Sequence, residues 1–376
     1  MTIIKENAPH LRRKATVSRM MIDVLIALFP TLVMSFIVYP INTLIFYALA
    51  LFIMVACEFV YVGLRNMMPK DGKKHTFKEK FIHSYKDKFN KNNVLSAAVT
   101  ATIFTLVMPA GAPIYAFIVG AIVGIVFGKL VFGGLGSNIF NPAVVGMVFA
   151  KICFGSQYVT DVHTWYYTIP DVAAGATPLG VISEGAWDSI SQYSLLDMFF
   201  GRIPGTLGEV YKLAIIVGMV YLLIRRSVDW RIIVSYLGSF ALLALGVGIA
   251  VFRFNNDINP FVFMLYNILS GGLLFGAAFM LTDPVTSPIN SPSRVIYGII
   301  AAIFTALIRF FAALPEGVGF SILIANMVAV VLDHYEWSNP RYTRKKIILI
   351  CCLVVVSFVL VMLIAMFGKT YTGVGA

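Results

Sequence analysis

Three acidic residues lie where a charge is costly. Glu58 falls inside a long apolar run, several positions before Arg65, and Asp283 and Asp333 lie at or near the ends of two later runs. Ionisable side chains at membrane depth are rare and mark ion pathways. The ordinary alternatives are a turn residue before proline for Asp283 and an interfacial charge at a helix end for Asp333. The three carboxylates are therefore candidate functional residues.

A second candidate group is a hydroxyl in the stretch "DVAAGATPLG", residues 171–180. Thr177 is its only hydroxyl and follows two small residues, Gly175 and Ala176. An ordinary interpretation makes Thr177 the N-cap of a short helix that begins at Pro178. Small neighbours also let a modifying enzyme approach a loop hydroxyl closely. The stretch is therefore a candidate modification site.

The composition indicates a membrane protein. Of 376 residues, 59% are hydrophobic and 12% are charged, whereas a soluble domain is nearer half apolar and a quarter charged. The net charge of +11 does not imply nucleic-acid binding, because membrane proteins collect Lys and Arg in cytoplasmic loops. The four cysteines form no CxxC pair, so they indicate no zinc, disulfide or iron–sulfur framework of this chain's own, although chains could share a cluster. We expect an all-α polytopic fold.

About eleven apolar runs approach the length of roughly 20 residues that crosses a bilayer. We expect the third and fifth to be broken or half-spanning, because they are short and carry Pro or Gly at their ends. The runs are 19–39, 42–64, 93–109, 113–132, 139–155, 209–225, 232–252, 261–281, 295–313, 317–333 and 347–367.

The basic residues predict the orientation. They concentrate in four segments, namely 1–18, 65–92, 225–231 and 341–346. With an odd number of spans before residue 156, all four fall on one face, which the positive-inside rule makes cytoplasmic. The loop 156–208, with Thr177, then faces outward. The aromatic residues of the loop 65–92 are also spaced as in an amphipathic surface helix, and a solvated loop is the alternative.

Two segments share an unusual pattern. They are "GGLGSNIFNPAVVG" (133–146) and "GGLLFGAAFMLTDPVTSP" (271–288), each with a glycine-rich run followed by a polar residue before proline, Asn141 and Asp283. Interrupted segments at corresponding positions of two halves are typical of inverted repeats with a site at their interface. We therefore predict two pseudo-symmetric halves, with ordinary interhelical loops as the alternative.

Five stretches now identify a family. In order, they are "GGLGSNIFNPAVVG", "DVAAGATPLG", "FFGRIPGTLGEV", "AFMLTDPVTS" and "PEGVGFSILIANMVAVVLDHY". Together they resemble the family of the D subunit of Rnf complexes and the B subunit of the sodium-pumping NADH:quinone reductase, over about residues 12–340. "GGLGSN" and "LTDPVT" are closer to the Rnf members. The resemblance implies a component of an ion-translocating electron-transfer complex with covalent FMN.

The resemblance also implies site residues. The FMN phosphate is esterified to Thr177 by a separate flavin transferase, within a pattern that this sequence matches at Asp171, Gly175, Ala176 and Thr177. Val172 and Ala174 depart from that pattern. A second, noncovalent flavin, riboflavin, is expected near Asn138 and Asn141, whose amides suit the polar edge of an isoalloxazine.

The family further associates Glu58, Asp283 and Asp333 with the handling of Na+ or H+. The expected setting is a bacterial cell membrane, with other subunits of an Rnf-type ferredoxin:NAD+ oxidoreductase as partners. A small-solute channel or secondary transporter, and a flavin-free scaffold, are the alternatives. The expected domains are a cytoplasmic tail, a membrane domain and a further transmembrane helix with its tail: 1–18, 19–340 and 341–376.

Overall fold

A computed structural model describes most of the chain, and helices are the main elements of its described part. The described residues are 16–66, 85, 89–158, 179, 194–203, 205–252, 259–312, 316–334 and 341–367. Within these ranges the only strand-like pairing is an isolated bridge between Pro109 and Thr206. The predicted all-α class is confirmed for this part of the chain.

The helices follow the predicted spans in order. The first group is α1 (Val17–Val38), α2 (Pro40–Arg65), α3 (Lys91–Val107), α4 (Ile114–Ile125, continued by a π-helix at Val126–Leu130) and α5 (Pro142–Phe154). The second is α6 (Leu195–Phe200), α7 (Lys212–Arg225), α8 (Trp230–Phe252), α9 (Pro260–Leu269), α10 (Leu273–Phe275, continued by a π-helix at Gly276–Met280), α11 (Ser291–Phe311), α12 (Val318–Leu332) and α13 (Arg344–Phe367).

Helix lengths separate full spans from shorter pieces. Among the described residues, α1, α2, α8, α11 and α13 are long and apolar enough to cross a membrane, and α9 with α10 forms a sixth candidate, bent by 63°. Three shorter apolar segments cover 114–130, 142–157 and 318–332. The protein is thus multi-pass, as predicted.

Local sequence signals explain where several helices begin. Asn141 and Asn259 cap α5 and α9, each accepting a hydrogen bond from a first-turn backbone N–H. A proline follows each cap at the first helical position, where its missing N–H costs nothing. Asn-Pro therefore marks a helix start in both halves.

The helices pack through small residues and long apolar contacts. α8 lies along α11, α4 along α5, and α1 along α7. Gly124 and Gly146 let α4 and α5 approach so closely that a Cβ on Gly124 would lie 2.7 Å from the Pro142 carbonyl oxygen. Such small-residue contacts are typical of helix pairs in membranes, where apolar surface alone does not drive association.

The two glycine-rich segments follow matching local structures. The π-helix Val126–Leu130 precedes the first segment, and the π-helix Gly276–Met280 lies within the second. The first segment leads into α5 and the second into α11, and both helices have proline in their first turn. π-helical turns are rare and concentrate at functional sites. The match agrees with the predicted repetition, and the pseudo-symmetry itself stays a prediction.

Candidate functional site

A cavity lies between the two glycine-rich segments. It is partly open to the outside and is lined by residues from several helices and from both segments. Apolar side chains from α1 and α3 form much of the wall, and the polar lining comprises Ser96, Thr100, Lys129, Asn138, Asn141, Ser227, Thr282 and Asp283. Three of the predicted site residues, Asn138, Asn141 and Asp283, are thus brought together.

A buried ion pair stands beside this cavity. The Lys129 ammonium, in the π-helical end of α4, pairs with the Glu58 carboxylate of α2 and donates a hydrogen bond to Ser96 Oγ of α3. The two charged side chains are 3% and 1% exposed. Two buried charges persist only when each compensates the other. The pair therefore explains how Glu58 is tolerated inside a span.

Sequence reasoning missed Lys129. It is the one basic residue of the predicted span 113–132, and that isolation was the available signal. Its partner could not be identified, because the sequence does not show that α2 and α4 lie side by side.

The two asparagines differ in their available hydrogen-bonding groups. Asn141 Oδ1 caps α5 and its Nδ2 donates to Met280 O at 3.2 Å, while its backbone N–H donates to Asn326 Oδ1 at 3.1 Å. Asn138 makes one hydrogen bond within the described chain, from Nδ2 to Phe140 O. Asn141 therefore mainly joins the two halves, and Asn138 keeps more capacity for a ligand.

Asp283 and Asp333 both bind turn backbone, as their ordinary interpretations predict. Asp283 Oδ1 accepts from Val285 N at 3.2 Å, and the half-buried carboxylate also lines the cavity. Asp333 caps α12 and accepts from Ile289 N at 3.0 Å. It does not line the cavity. Of the three predicted carboxylates, Asp283 alone both lines the cavity and makes no ion pair within the described residues.

Asp23, a second charge missed by sequence reasoning, ties α1 to α7. It is 4% exposed and accepts hydrogen bonds from Arg225 Nε at 3.1 Å and from Ser227 Oγ at 2.9 Å. Ser227 also lines the cavity. The contact holds the cavity wall between α1 and α7 in place.

A second polar cluster lies near the other end of the helices. Arg309 lies in the last turn of α11, whereas Asp283 of the cavity precedes the start of that helix at Ser291. The cluster contains Lys151, Glu209, Lys212, Arg309 and Glu316. Lys151 Nζ lies 2.5 Å from Glu316 Oε2, and this ammonium lowers the pKa of the Glu316 carboxyl. Burial, with the Glu316 charge, raises the pKa of Glu209 to about 7.

The modification stretch falls outside the described residues. This holds for all four of its predicted residues: Asp171, Gly175, Ala176 and Thr177. Leu179, two positions after Thr177, is described and is 3% exposed. A Cβ on Gly271 would lie 2.6 Å from its Cδ1. Leu179 is therefore seated against the break between α9 and α10.

Comparisons with known proteins define the class. The model of the NQR2, RnfD, RnfE family matches residues 4–341, so the chain belongs to that family. The B subunit of the Na+-translocating NADH-quinone reductase of Chromohalobacter salexigens is 35% identical over 63% of this chain, which spans 57% of that relative's length. The resemblance inferred from the five stretches is confirmed.

A relative from the second branch of the family matches over nearly its whole length. The D subunit of the Na+-translocating ferredoxin:NAD+ oxidoreductase complex of Acetobacterium woodii is 30% identical over 92% of this chain and 95% of its own length. Both relatives are subunits of ion-translocating oxidoreductases.

Proposed function

We propose that this chain is the D-type membrane component of an Rnf-type, Na+- or H+-translocating ferredoxin:NAD+ oxidoreductase, and that it passes electrons between two flavins. Its match to nearly the full length of the Acetobacterium woodii relative supports the assignment. Ferredoxin and NAD+ would bind partner subunits, because no part of this sequence suggests a soluble nucleotide-binding domain.

The observation that carries the proposal is the cavity between the two glycine-rich segments, with its apolar walls and its few polar groups. The chemistry of its lining suits an isoalloxazine, with apolar side chains from Met20, Val99 and Phe279 and polar groups at Asn138 and Thr282. Bound riboflavin would supply the redox chemistry, and the protein its position and electrostatics. Asn138 would orient the polar edge of the ring.

The ion pathway would begin at the same cavity. Asp283 lines the cavity and makes no ion pair within the described chain, so its carboxylate is the best candidate of the three predicted cation ligands. Glu58 would take part through its ion pair with Lys129. Asp333 would contribute at the helix end, outside the cavity.

Covalent FMN on Thr177 is the second flavin. Leu179, two positions after Thr177 in the sequence, lies against Gly271 at the end of the bundle that carries Glu209 and Glu316. The positive-inside rule makes this the outer face and leaves the N-terminus in the cytoplasm of a bacterial cell. A separate flavin transferase would attach the FMN.

In-gel fluorescence of the denatured chain tests this assignment. Co-expressed with a flavin transferase, the wild type should fluoresce as a flavin and gain the mass of one FMN less water. Thr177→Ala should lose both signals and still reach the membrane, since a lost helix cap costs only about 1 kcal/mol. Thr168→Ala is the matched control and should keep them. Fluorescence that persists in Thr177→Ala would refute the attachment site.

A further inference from the structure

The break between α9 and α10 exposes backbone inside the protein. α9 ends at Leu269, α10 begins at Leu273, and the two axes differ by 63°. Gly271 has a backbone φ of +58°, a value that residues other than glycine rarely adopt. Interrupted helices leave carbonyl oxygens without their helical partners, and inside a protein other groups must satisfy them.

Lys212 supplies one of those groups. Its side chain is 1% exposed, and Nζ donates to Gly271 O at 2.7 Å and to Glu209 O at 2.5 Å. The Glu209 carboxylate lies directly against Gly272, where it would collide with any Cβ. The ammonium therefore contacts two backbone oxygens, and an acidic side chain lies at the same break.

More oxygen atoms lie on the preceding turn. Arg309 donates to Asn267 O at 2.6 Å. The side chain of Asn267 is fully buried, and its Oδ1 has no hydrogen-bond partner among the described residues. A neutral oxygen in such a place is available to a cation.

We infer that this break is a monovalent-cation site of the Na+ type, and that the Lys212 ammonium is its resident, tethered cation. Carbonyl oxygens at interrupted helices together with a carboxylate are the ligands that Na+ uses in membrane transporters. An ammonium offers the same charge to the same oxygens. Lys212 and a free cation therefore exclude each other. The inference does not depend on flavin binding, because no flavin contact enters it.

Substitution of Lys212 tests the inference in the purified full-length chain or its complex. Lys212→Met keeps most of the side-chain stem and removes the ammonium, which opens the site to Na+. Thermal unfolding is compared in equal concentrations of NaCl and choline chloride. We expect the gain in Tm from Na+ to be larger in Lys212→Met than in the wild type by about 3 °C or more.

Three control variants separate this site from general salt effects. Lys151→Met removes an ammonium that pairs with Glu316 and not with the helix break, so its Na+ gain should equal that of the wild type. Lys212→Arg keeps the charge and should also match the wild type. Glu209→Gln combined with Lys212→Met should lose the added gain.

An equal Na+ gain in Lys212→Met and the wild type would overturn the inference. The inference would also fail if Lys212→Met did not reach the membrane in cells grown with Na+ and in cells grown with K+. A bound cation should replace the lost ammonium in at least one of them. Assembly in Na+ alone would support it.

Discussion

Lys129 and Lys212 are both buried lysines, yet they serve different structures. Lys129 pairs with a side chain, Glu58, at the wall of an open cavity. Lys212 binds backbone oxygens of an interrupted helix at the other end of the bundle. A side-chain pair can change partners when a ligand enters, whereas backbone oxygens hold their place. The comparison therefore assigns the flavin and the start of the ion pathway to the first region, and a tethered cation held by backbone oxygens to the second.

Removing one member of the Glu58–Lys129 pair should have the largest effect on stability. Lys129→Met leaves a buried carboxylate alone and should lower the free energy of unfolding by about 3–5 kcal/mol. The double variant Glu58→Gln with Lys129→Met should recover most of this loss, because both charges are absent. Thermal unfolding of the four proteins of this double-mutant cycle gives the coupling.

Additive losses in the double variant would show that the two charges are independent. The side-chain pair at Lys129 would then be a contact without energetic coupling.

The two asparagines should separate structure from ligand binding. Asn141→Ala removes a buried hydrogen bond to Met280 O and the cap of α5, and should cost about 2–3 kcal/mol. Asn138→Ala should cost less than about 1 kcal/mol and should lower the amount of noncovalent flavin that co-purifies. Flavin released per chain and Tm are the two measurements. Equal effects of both substitutions on both measurements would remove the distinction.

Glu209 should make the second region sensitive to pH. Burial and the Glu316 charge raise its pKa to about 7 from 4.5, against the opposing effects of Lys212, Thr206 and Lys151. The folded state then holds a proton that the unfolded state has lost, so this contribution to stability falls as pH rises from about 4.5 to 7. Glu209→Gln lacks it. The Tm of the variant relative to the wild type should therefore rise between pH 5 and pH 7.5, and a constant difference would contradict the assignment.

Asp333→Asn should have the smallest effect on stability. The amide oxygen can still accept the hydrogen bond from Ile289 N, so the free energy of unfolding should change by no more than about 0.5 kcal/mol. Na+-dependent turnover of the complex should nevertheless fall if the charge handles ions. Unchanged Na+ dependence would leave Asp333 as a helix-end residue.

Much of the fold was predictable because apolar runs report spans directly. The third and fifth spans are short, unbroken helices, Lys91–Val107 and Pro142–Phe154, and the bend lies instead in the eighth predicted span, at the glycine pair Gly271–Gly272. The start of α7 was placed three residues early, because Glu209 and its neighbours form a turn. Hydropathy alone cannot separate such a turn from a helix start.

The site was predictable only in part. Asn138, Asn141 and Asp283 were found because polar residues beside proline stand out in apolar sequence. Lys129 and Lys212 were not, since their meaning depends on partners on α2 and at the α9–α10 break that no local pattern reveals. Thr177 rests on the family motif, and its prediction stays open outside the described residues.

Flavin release from the cavity tests the central claim most directly. Acid denaturation of the purified wild type should release one riboflavin per chain and leave the covalent flavin attached. Val99→Trp places a large ring in the cavity; it should abolish the released riboflavin and keep the covalent fluorescence. If Val99→Trp releases as much riboflavin as the wild type, or if the wild type releases none, the cavity is not the flavin site and the account is wrong.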